Sequence, residues 1–549
     1  MKQYRPDEEV DFLIIGAGAS GGIMAKELST AGFSVVVLEQ GPYLREKDFE
    51  HDEIKNTVLS GMTNHPARQP HTYRSSDSET AKIPNQKFIQ YGRQVGGGSV
   101  HFTANYWRLW ESDFHQKSKF GSVPGAALAD WPITYADLEP YYTRAEEELG
   151  VSGLAGANPF EAWRSKPYPL PPLPVKSSGV LFERATRKLG LHPFPAPMAI
   201  LSQPYRGRGA CLHCGFCEYF GCEVRAKSST LATVIPIAEK TGRCEIRPDS
   251  FTRKIEIGST GRATGTIYFD ANRREVFQRA KAVVVCANGS ETPRLLLMSK
   301  SGRFPQGLAN SNGLVGKYLM VDAGYEVHGT FEHPLNEFKS VQATRVIHDF
   351  YEPDPKRGFH GGGGIDARFD FYPASFALTG LPPDAPRWGR EWKAMVGRNF
   401  NRTMSLLAHA TCLAREQNSI SLDPNLKDPW GLPAMRVTFD FHPDDVRNMK
   451  FLVDRQMEIL EAAGAQKAWP DTAEESLLPH NHLLGTCRMG DDPKTSVVDS
   501  NHRAHDVPNL FVVDGSSLVT ACCQPTCTIQ ALAYRAADHI TRQARQNAI

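Results

Sequence analysis

The fold is decided by one stretch near the N-terminus, Val10-Asp11-Phe12-Leu13-Ile14-Ile15-Gly16-Ala17-Gly18-Ala19-Ser20-Gly21-Gly22. Its first six residues are apolar except for Asp11, a pattern typical of a strand buried on both faces of a parallel sheet. The glycines that follow allow a tight turn and the close approach of a pyrophosphate to the N-terminus of the next helix. A second predicted strand ends on Glu39, which is placed to accept hydrogen bonds from a ribose. We therefore predict a dinucleotide site formed by Gly16, Gly18, Ala19, Ser20, Gly21 and Glu39.

Length and charge narrow the possible functions. At 549 residues the chain is long for one hydrophobic core, so two domains are expected. Lys and Arg number 62 against 61 Asp and Glu, which leaves no basic excess to hold nucleic acid. The sequence contains no apolar run of about 18 residues that would span a bilayer. An acidic N-terminal segment leads directly into the first strand, so we expect a cytoplasmic protein, with periplasmic co-export on a partner as the alternative.

A cysteine-rich loop is the second signal in the sequence. Of the 11 cysteines, four fall within one short window, at Cys211, Cys214, Cys217 and Cys222. Thiolates with this C-x2-C-x2-C-x4-C spacing can surround a single soft metal centre. We favour an iron–sulfur cluster, but a structural zinc uses the same ligands and stays open.

The candidate catalytic groups lie toward the C-terminus. His482 precedes a Gly-Thr turn, a predicted strand ends on Asp514, and Gln524-Pro525-Thr526 opens a helix. A histidine can accept a proton near neutral pH, and a helix N-terminus presents free N–H groups to an electron-rich acceptor. The alternatives are that His482 is only a packed loop histidine, or that His480 is the base.

Three of these segments, His482-x-x-Gly485-Thr486, Val512-Val513-Asp514-Gly515-Ser516 and Pro525-Thr526, resemble the C-terminal signature of the glucose-methanol-choline (GMC) flavoprotein oxidoreductases. The resemblance implies that FAD is the cofactor and that His482 takes the proton of a substrate hydroxyl while hydride leaves for the flavin. The family's second catalytic residue, Asn or His, is replaced here by Gln524, whose amide can donate to the substrate oxygen but cannot titrate. Further implied cofactor contacts are Ala287, Asp514, Gly515 and Thr526.

The glycine-rich loop at residues 92–105 resembles the flavin-contacting loop of the same family. The cofactor residues that this likeness implies are Arg93, Gly97, Gly98, Ser99, His101 and Asn105. His101, followed by Thr103, looks like the histidine that is bonded to the flavin in pyranose oxidases. Covalent and non-covalent FAD both stay open.

The cysteine loop is similar to that of the glucoside 3-dehydrogenase and gluconate dehydrogenase branches of the family. This likeness implies a dehydrogenase that oxidises a secondary sugar hydroxyl, with C3 of a glucoside or pyranose favoured. Electrons would pass through a 3Fe-4S or 4Fe-4S cluster to an acceptor subunit or cytochrome, and a small partner subunit could carry an export signal. The alternatives are a gluconate or polyol dehydrogenase, an oxygen-dependent oxidase with a structural zinc, and a non-catalytic flavin redox sensor.

The predicted architecture is α/β, with a Rossmann-like FAD-binding domain and an α+β substrate domain built on an antiparallel sheet. We assign residues 1–60, 90–110, 205–324 and 476–549 to the FAD-binding domain, including the cysteine loop at 209–224. Residues 111–204 and 325–475 are assigned to the substrate domain. Residues 158–204 are rich in proline and predict an extended excursion, whereas Pro443–Ala463 has the spacing of an amphipathic helix.

Overall fold

The computed structural model describes residues 3–84, 88–471, 479–521 and 523–549. Within these ranges the strands are β1 (Val10–Ile15), β2 (Val35–Leu38), β3 (His71–Arg74), β4 (Phe194–Pro195), β5 (Cys244–Arg247), β6 (Phe251–Ile257), β7 (Ala263–Phe269), β8 (Glu275–Val285), β9 (Glu326–Thr330), β10 (Arg345–Ile347), β11 (Gly363–Arg368), β12 (Thr403–Ala410), β13 (Ser419–Lys427), β14 (Pro433–Thr438), β15 (Lys467–Pro470) and β16 (Leu510–Val512). The α-helices are α1 (Gly21–Thr30), α2 (Gln116–Phe120), α3 (Tyr135–Leu149), α4 (Ser177–Lys188), α5 (Ile235–Lys240), α6 (Asn288–Met298), α7 (Pro373–Thr379), α8 (Gly389–Asn399), α9 (Pro443–Ala463) and α10 (Pro525–Arg545).

The first sheet confirms the Rossmann-like prediction. Its strand order is β5-β2-β1-β8-β7-β6, with β16 also pairing with β8. Strands β5, β2, β1, β8 and β16 run parallel, whereas β7 and β6 are antiparallel. Strand β1 is almost wholly buried because helices α1 and α10 pack together beside it, which explains why its sequence is apolar without alternation. The carboxyl ends of β1, β2 and β16 therefore meet at one edge of the sheet.

A second, antiparallel sheet faces the first. Its strand order is β15-β9-β12-β11-β10-β4, and helix α9 packs across β12 and β9. Helix α9 has the predicted bounds: His442 caps its N-terminus by accepting from the N–H of Asp444, and Gly464 ends it in the left-handed conformation. A small third sheet joins β13, β14 and β3. The antiparallel sheet supplies the wall opposite the dinucleotide fold.

The prediction of an extended excursion at residues 158–204 was wrong in part. This stretch contains helix α4, Ser177–Lys188, which lies in the proline-free interval between Pro174 and Pro193. The buried face of α4 is formed by Ser178, Gly179, Phe182, Ala185 and Thr186. Such small and polar residues give a weak apolar signal, and the helix is stabilised by packing against α9 rather than by its own sequence.

Helix α3 lies in the segment that we assigned to the substrate domain, yet it packs against α10 of the dinucleotide fold. The hydroxyls of Tyr142 and Thr528 are 2.8 Å apart across this contact. The proposed domain boundaries stay a prediction, and the one at residue 476 lies outside the described residues. No helix in the described ranges is both long and apolar enough to cross a membrane.

Candidate active site

Two glycine-rich loops cross at the carboxyl edge of the parallel sheet. A Cβ atom on Gly97 would lie 2.7 Å from the Cα atom of Gly18, and Gly97 has a φ of +54°. A Cβ atom on Gly21 would lie 1.9 Å from the carbonyl oxygen of Gly16, so this glycine is needed for the packing of α1 on its own turn. The space beside Gly98 is open. Main-chain atoms therefore form the floor at this edge.

Glu39 stands at the end of β2, where the sequence predicted it. Its carboxylate accepts hydrogen bonds from the N–H groups of Ala17, at 3.0 Å, and Gly41, at 2.9 Å. Burial raises the pKa of Glu39 to about 7, although these donors favour the charged form. The side chain thus ties the glycine turn to β2 and faces the same space.

A cavity of about 620 Å³ lies between the two large sheets. The predicted site residues that line it are Gly16, Gly18, Ala19, Ser20, Glu39, Gly97, Gly98, Ser99, His101, Ala287, His482, Asp514, Gly515, Gln524 and Thr526. Gly21, Arg93 and Asn105 lie outside this lining. The amide of Asn105 instead donates to Asp366 at 3.0 Å, and the carbonyl of Arg93 abuts Gly41. The two glycine loops and the C-terminal signature therefore share one cavity, although far apart in sequence.

Asp514 contributes to the cavity through its backbone. One carboxylate oxygen accepts from the N–H of Asn288 at 3.0 Å and the hydroxyl of Thr292 at 2.6 Å. The other accepts from the N–H and the hydroxyl of Ser516, at 2.8 and 2.6 Å. Burial raises the pKa of Asp514, and these four donors oppose the shift. The carboxylate therefore holds α6 against the end of β16 instead of reaching for a ligand.

His482 is held in a strained backbone conformation, with φ of +54°. Its flank is fixed by a hydrogen bond from the hydroxyl of Thr486 to the carbonyl of Gly289, at 2.6 Å. Nδ1 of His482 lies 3.2 Å from Oδ2 of Asp322. Burial lowers the pKa of His482, and the Asp322 carboxylate opposes that shift only in part. The imidazole is therefore neutral near pH 7 and able to accept a proton; His480, the rival base, also lines the cavity.

Gln524 stands at the N-cap of α10 and lines the same cavity as His482. Its amide nitrogen lies 2.9 Å from Nδ1 of His409, a residue of β12 that the sequence did not single out. Nε2 of His409 is 3.0 Å from Asp366, which in turn pairs with Arg368 at 2.6 Å. The sequence analysis did not predict His409, Asp366 and Arg368 as site residues. It did not predict Asp322 either. The available signal was Asp366 and Arg368 two residues apart on a strand, which places two opposite charges on one face.

The wall next to these residues is acidic. Glu218, Glu326 and Asp370 line the cavity around the buried guanidinium of Arg368, which pairs with Asp370 at 2.8 Å. Within the described part of the chain, Oε1 of Glu326 and Oδ1 of Asp370 are buried without a hydrogen-bond partner. Burial raises the pKa of Glu326, and the nearby Asp370 raises it further. This wall presents several hydrogen-bonding groups to whatever occupies the cavity.

The cysteine loop borders the same cavity. Glu218 and Tyr219 of the loop line it, and the N–H of Tyr219 donates to the carbonyl of His101 at 2.8 Å. The ammonium of Lys227 donates to the carbonyls of Phe102, at 3.2 Å, and Phe220, at 2.8 Å. The loop is therefore joined through the main chain to the glycine loop that carries His101.

The four cysteines are neighbours, with Cys217 buried and Cys214 exposed. Burial raises the pKa of Cys217 to about 12, and the charges of the other three thiols act in the same direction. Backbone N–H groups of His213 and Lys227 point at the sulfurs of Cys211 and Cys222, at 3.3 and 3.5 Å. Among the residues that the structure describes, no three His, Cys, Asp or Glu side chains are arranged to hold a metal ion. The donors have the right chemistry, but their side chains have not converged into a ligand set.

His101 points a ring nitrogen into buried space. Its Nε2 atom has no hydrogen-bond partner among the described residues, and its ring lies parallel to that of Tyr219 with centroids 6.3 Å apart. Burial lowers the pKa of His101 to about 4, and the nearby Lys227 ammonium contributes to the shift. A neutral, unpartnered imidazole on the cavity wall fits a group that contacts a cofactor. The main-chain floor, the acid at the end of β2 and this nitrogen together fit FAD.

Comparisons with known proteins agree with this geometry. Residues 182–322 and 414–533 match the sequence models of the GMC oxidoreductase family, and residues 14–75 match an NAD(P)-binding Rossmann-like domain. The 2-methyl-1,2-propanediol dehydrogenase of Mycolicibacterium austroafricanum is 35% identical, covering 98% of this chain and 96% of its own length. The gluconate 2-dehydrogenase flavoprotein of Pantoea cypripedii is 29% identical, covering 98% and 95%. A formate oxidase of Aspergillus oryzae RIB40 shares the fold, with a TM-score of 0.65 and 15% identity over 99% of this chain and 100% of the other. The chain belongs to the GMC oxidoreductase family.

Proposed function

We propose that this FAD-dependent oxidoreductase is a dehydrogenase that oxidises a secondary hydroxyl of a sugar or glycoside, with C3 of a glucoside or pyranose as the favoured position. The observation that carries the proposal is the neutral imidazole of His482, set on a cavity wall that also contains both glycine loops. A hydroxyl presented to that imidazole can lose its proton at neutral pH.

The residues of this chain divide the work of alcohol oxidation. The backbone of Gly16, Gly18 and Gly97 would hold the dinucleotide, with Glu39 placed for the ribose. FAD, when bound, supplies the acceptor for the hydride of the carbinol carbon. His482 accepts the hydroxyl proton, and the amide of Gln524 donates to the substrate oxygen. Holding the carbinol between these two groups fixes its orientation and so lowers the entropic part of the reaction barrier.

The acidic wall supports a polyhydroxylated substrate. Carboxyl oxygens of Glu326 and Asp370 that lack partners could accept hydrogen bonds from several hydroxyls at once, and Arg368 could donate to a further oxygen. A hydrocarbon substrate would leave these groups buried and unpaired, which is unfavourable. The wall therefore favours sugars and polyols over apolar alcohols.

We further propose that Cys211, Cys214, Cys217 and Cys222 hold a 3Fe-4S or 4Fe-4S cluster that carries electrons outward, one at a time, to an acceptor subunit or cytochrome. Support comes from the C-x2-C-x2-C-x4-C spacing of the four thiols, from N–H groups directed at two of the sulfurs, and from the contact between this loop and the cavity wall. A partner subunit could also carry the signal for export to the periplasm. A structural zinc in an oxygen-using oxidase is the competing arrangement.

One specific observation favours a second substrate class. The relative with 35% identity is named for a small branched diol, and it matches over 98% of this chain. A compact diol would fill less of the cavity and would use fewer groups of the acidic wall. This candidate shares His482 and FAD with the sugar proposal and differs in the substrate and in the carbinol oxidised, which in such a diol is the primary one.

Anaerobic flavin bleaching tests both candidates. Glucosides, gluconate, polyols and small diols are mixed in turn with the purified enzyme, and the loss of oxidised-flavin absorbance is followed. The sugar proposal expects rapid bleaching with a pyranose or glycoside and a 3-keto product by NMR; bleaching by diols alone would replace it with the second candidate. No bleaching with any alcohol, together with unaltered spectra in His482→Ala, would favour a flavin redox sensor.

The relay is tested separately. Iron and acid-labile sulfide are measured on anaerobically purified protein, with peroxide production under air as the second readout. About three or four irons and about four sulfides per chain, with little peroxide, are expected; one zinc per chain and stoichiometric peroxide would identify the oxidase instead.

A further inference from the structure

A line of buried charged groups runs from the proposed base into the substrate side of the cavity. Asp322 lies 3.2 Å from His482 and 3.7 Å from His409. Beyond His409 come Asp366, at 3.0 Å, and Arg368, which is 2.6 Å from Asp366. We call these five residues the charged array. It draws on loops before β9 and after α9 and on strands β12 and β11, so the fold alone brings its members together.

The charges alternate along the array. Burial would lower the pKa of His409, but Asp366 and Asp322 more than offset this and raise it. Burial would raise the pKa of Asp322, but the neighbouring His482, His409 and Arg368 hold it below the ordinary value. When His409 is protonated, as its raised pKa favours, the groups from Asp322 onward are carboxylate, imidazolium, carboxylate and guanidinium in turn. Such alternation stabilises each member in a site where an isolated charge would be unfavourable.

Both proposed catalytic groups are attached to this array. Nδ1 of His482 lies 3.2 Å from Asp322 but makes no hydrogen bond among the described residues. A proton on Nδ1 that is directed at Asp322 would leave Nε2 as the nitrogen that accepts the substrate proton. The amide nitrogen of Gln524 lies 2.9 Å from Nδ1 of His409. Because a protonated imidazole has no acceptor, the amide turns over so that its oxygen accepts from His409 and its NH2 group is left for the substrate. Asn105, from the loop after His101, donates to Asp366 and braces the far end.

We infer that Asp322 and His409 are positioning residues of the oxidation site: Asp322 orients His482 and His409 orients Gln524. The inference rests on the proposed function, because it assigns supports to the residues that handle the hydroxyl. It also explains how glutamine can stand where the family has Asn or His, since His409 removes the freedom that the extra methylene would give its amide.

The shared carboxylate gives this arrangement a distinctive electrostatic signature. The ionisable groups that face His482 are Asp322, His409 and Arg368, and those that face His409 are Asp322, Asp366, Arg368, His348 and His482. Asp322 raises the pKa of His482, whereas the positive charge of His409 lowers it. Removing the carboxylate and removing the imidazolium must therefore move the pKa of His482 in opposite directions.

The test measures kcat/KM and the rate of flavin reduction against pH for Asp322→Asn and His409→Gln. The base must be neutral to act, so activity rises with pH through the pKa of His482. We expect this limb to move about one unit lower in Asp322→Asn and about one unit higher in His409→Gln. Both variants should also lose about 10- to 100-fold in kcat, because the reacting groups are less well held. Equal or same-direction shifts of the limb would overturn the inference.

Controls keep a structural effect separate from this signature. His328→Gln alters another buried histidine, which is bonded to Ser405 at 2.8 Å and lies outside the cavity lining, and should leave the pH limb in place. FAD content and melting temperature identify a variant that has failed to fold; His409→Asn then replaces His409→Gln. If His482→Ala keeps full activity, the proposed function fails; if it is inactive while the limb stays fixed in both array variants, only the inference fails.

Discussion

Two of the buried charge networks among the described residues, one around Arg108 and the charged array, differ in how completely they are paired. In the first, every guanidinium nitrogen of Arg108 has a partner: Nε and Nη2 bond to Glu146 at 2.8 and 2.7 Å, and Nη1 bonds to Glu139 at 3.0 Å. Arg164 binds the same Glu146 at 2.9 Å. In the charged array, Oδ1 of Asp322 has no hydrogen-bond partner among the described residues.

We interpret the Arg108 network as structural and the charged array as functional, because only the second leaves polar atoms unpaired beside a cavity. The Arg108 network lies within residues 108–164 and ties α3 to its neighbours. The charged array lies along a cavity, where its free lone pairs can be completed only by a ligand or solvent. Buried polar groups without partners are unfavourable for folding, so their concentration on one wall marks a place where stability has been given up for binding.

The largest effect on activity is expected from replacing His482, which lies where the charged array meets the cavity. His482→Ala should reduce the rate of flavin reduction by about 10²- to 10⁴-fold, because the hydroxyl loses its base. Stopped-flow absorbance under anaerobic conditions measures this rate. FAD content and melting temperature should change little. His480→Ala is the matched control, and a greater loss in that variant would transfer the role of base to His480.

A substitution in the Arg108 network should lower stability rather than activity. Arg108→Met leaves Glu139 and Glu146 buried without their main partner, and we expect the free energy of unfolding to fall by about 3–5 kcal/mol. Thermal unfolding of the FAD-loaded protein measures this. The pH profile of the surviving activity should match that of the parent. A melting temperature equal to the parent's would show that the pairing contributes nothing net.

Cofactor affinity should depend on the crossing of the glycine loops. Gly97→Ala introduces a Cβ atom 2.7 Å from Gly18 at a φ of +54°, which we expect to weaken FAD binding on the order of 10-fold through strain of about 1–3 kcal/mol. Fluorescence titration of the apoprotein with FAD measures the affinity. Gly302→Ala serves as the control because open space surrounds that position. Unchanged affinity in Gly97→Ala would refute the close-packing argument.

The smallest effect should come from a buried histidine outside the array. Burial lowers the pKa of His328 to about 4 from an unfolded value near 6.5. The unfolded chain therefore binds this proton first, and stability falls as pH drops from about 6.5 to 4. His328→Gln should flatten that part of the stability–pH curve by on the order of 1–3 kcal/mol at its acid end. Unfolding measured by denaturant at pH 7 and pH 4.5 decides this, and an equal slope in parent and variant would contradict it.

The sequence was sufficient where function depends on local chain geometry. The glycine turn, Glu39 and the helix at Pro443–Ala463 follow from spacing alone, since their residues are neighbours in sequence. The Rossmann-like sheet follows from the apolar run of β1.

The charged array could not be derived in the same way. Asp322 and His409 meet His482 only after the second sheet has closed over the first, and no local pattern links positions so far apart. Arg93 and Asn105 show the converse: they belong to a recognisable loop, yet their contacts lie outside the cavity lining. Local motifs therefore predicted the residues of the proposed cofactor side, whereas those of the proposed substrate side could be found only from the fold.

The hydrogen bond from the N–H of Tyr219 to the carbonyl of His101 has a practical consequence for producing this protein. Because the cysteine segment is hydrogen-bonded to the loop that carries His101, a chain that lacks the proposed cluster should have a less firmly held His101 loop as well as empty thiols. The FAD content and the metal content should then vary together from one preparation to the next. Supplying iron during expression would restore both.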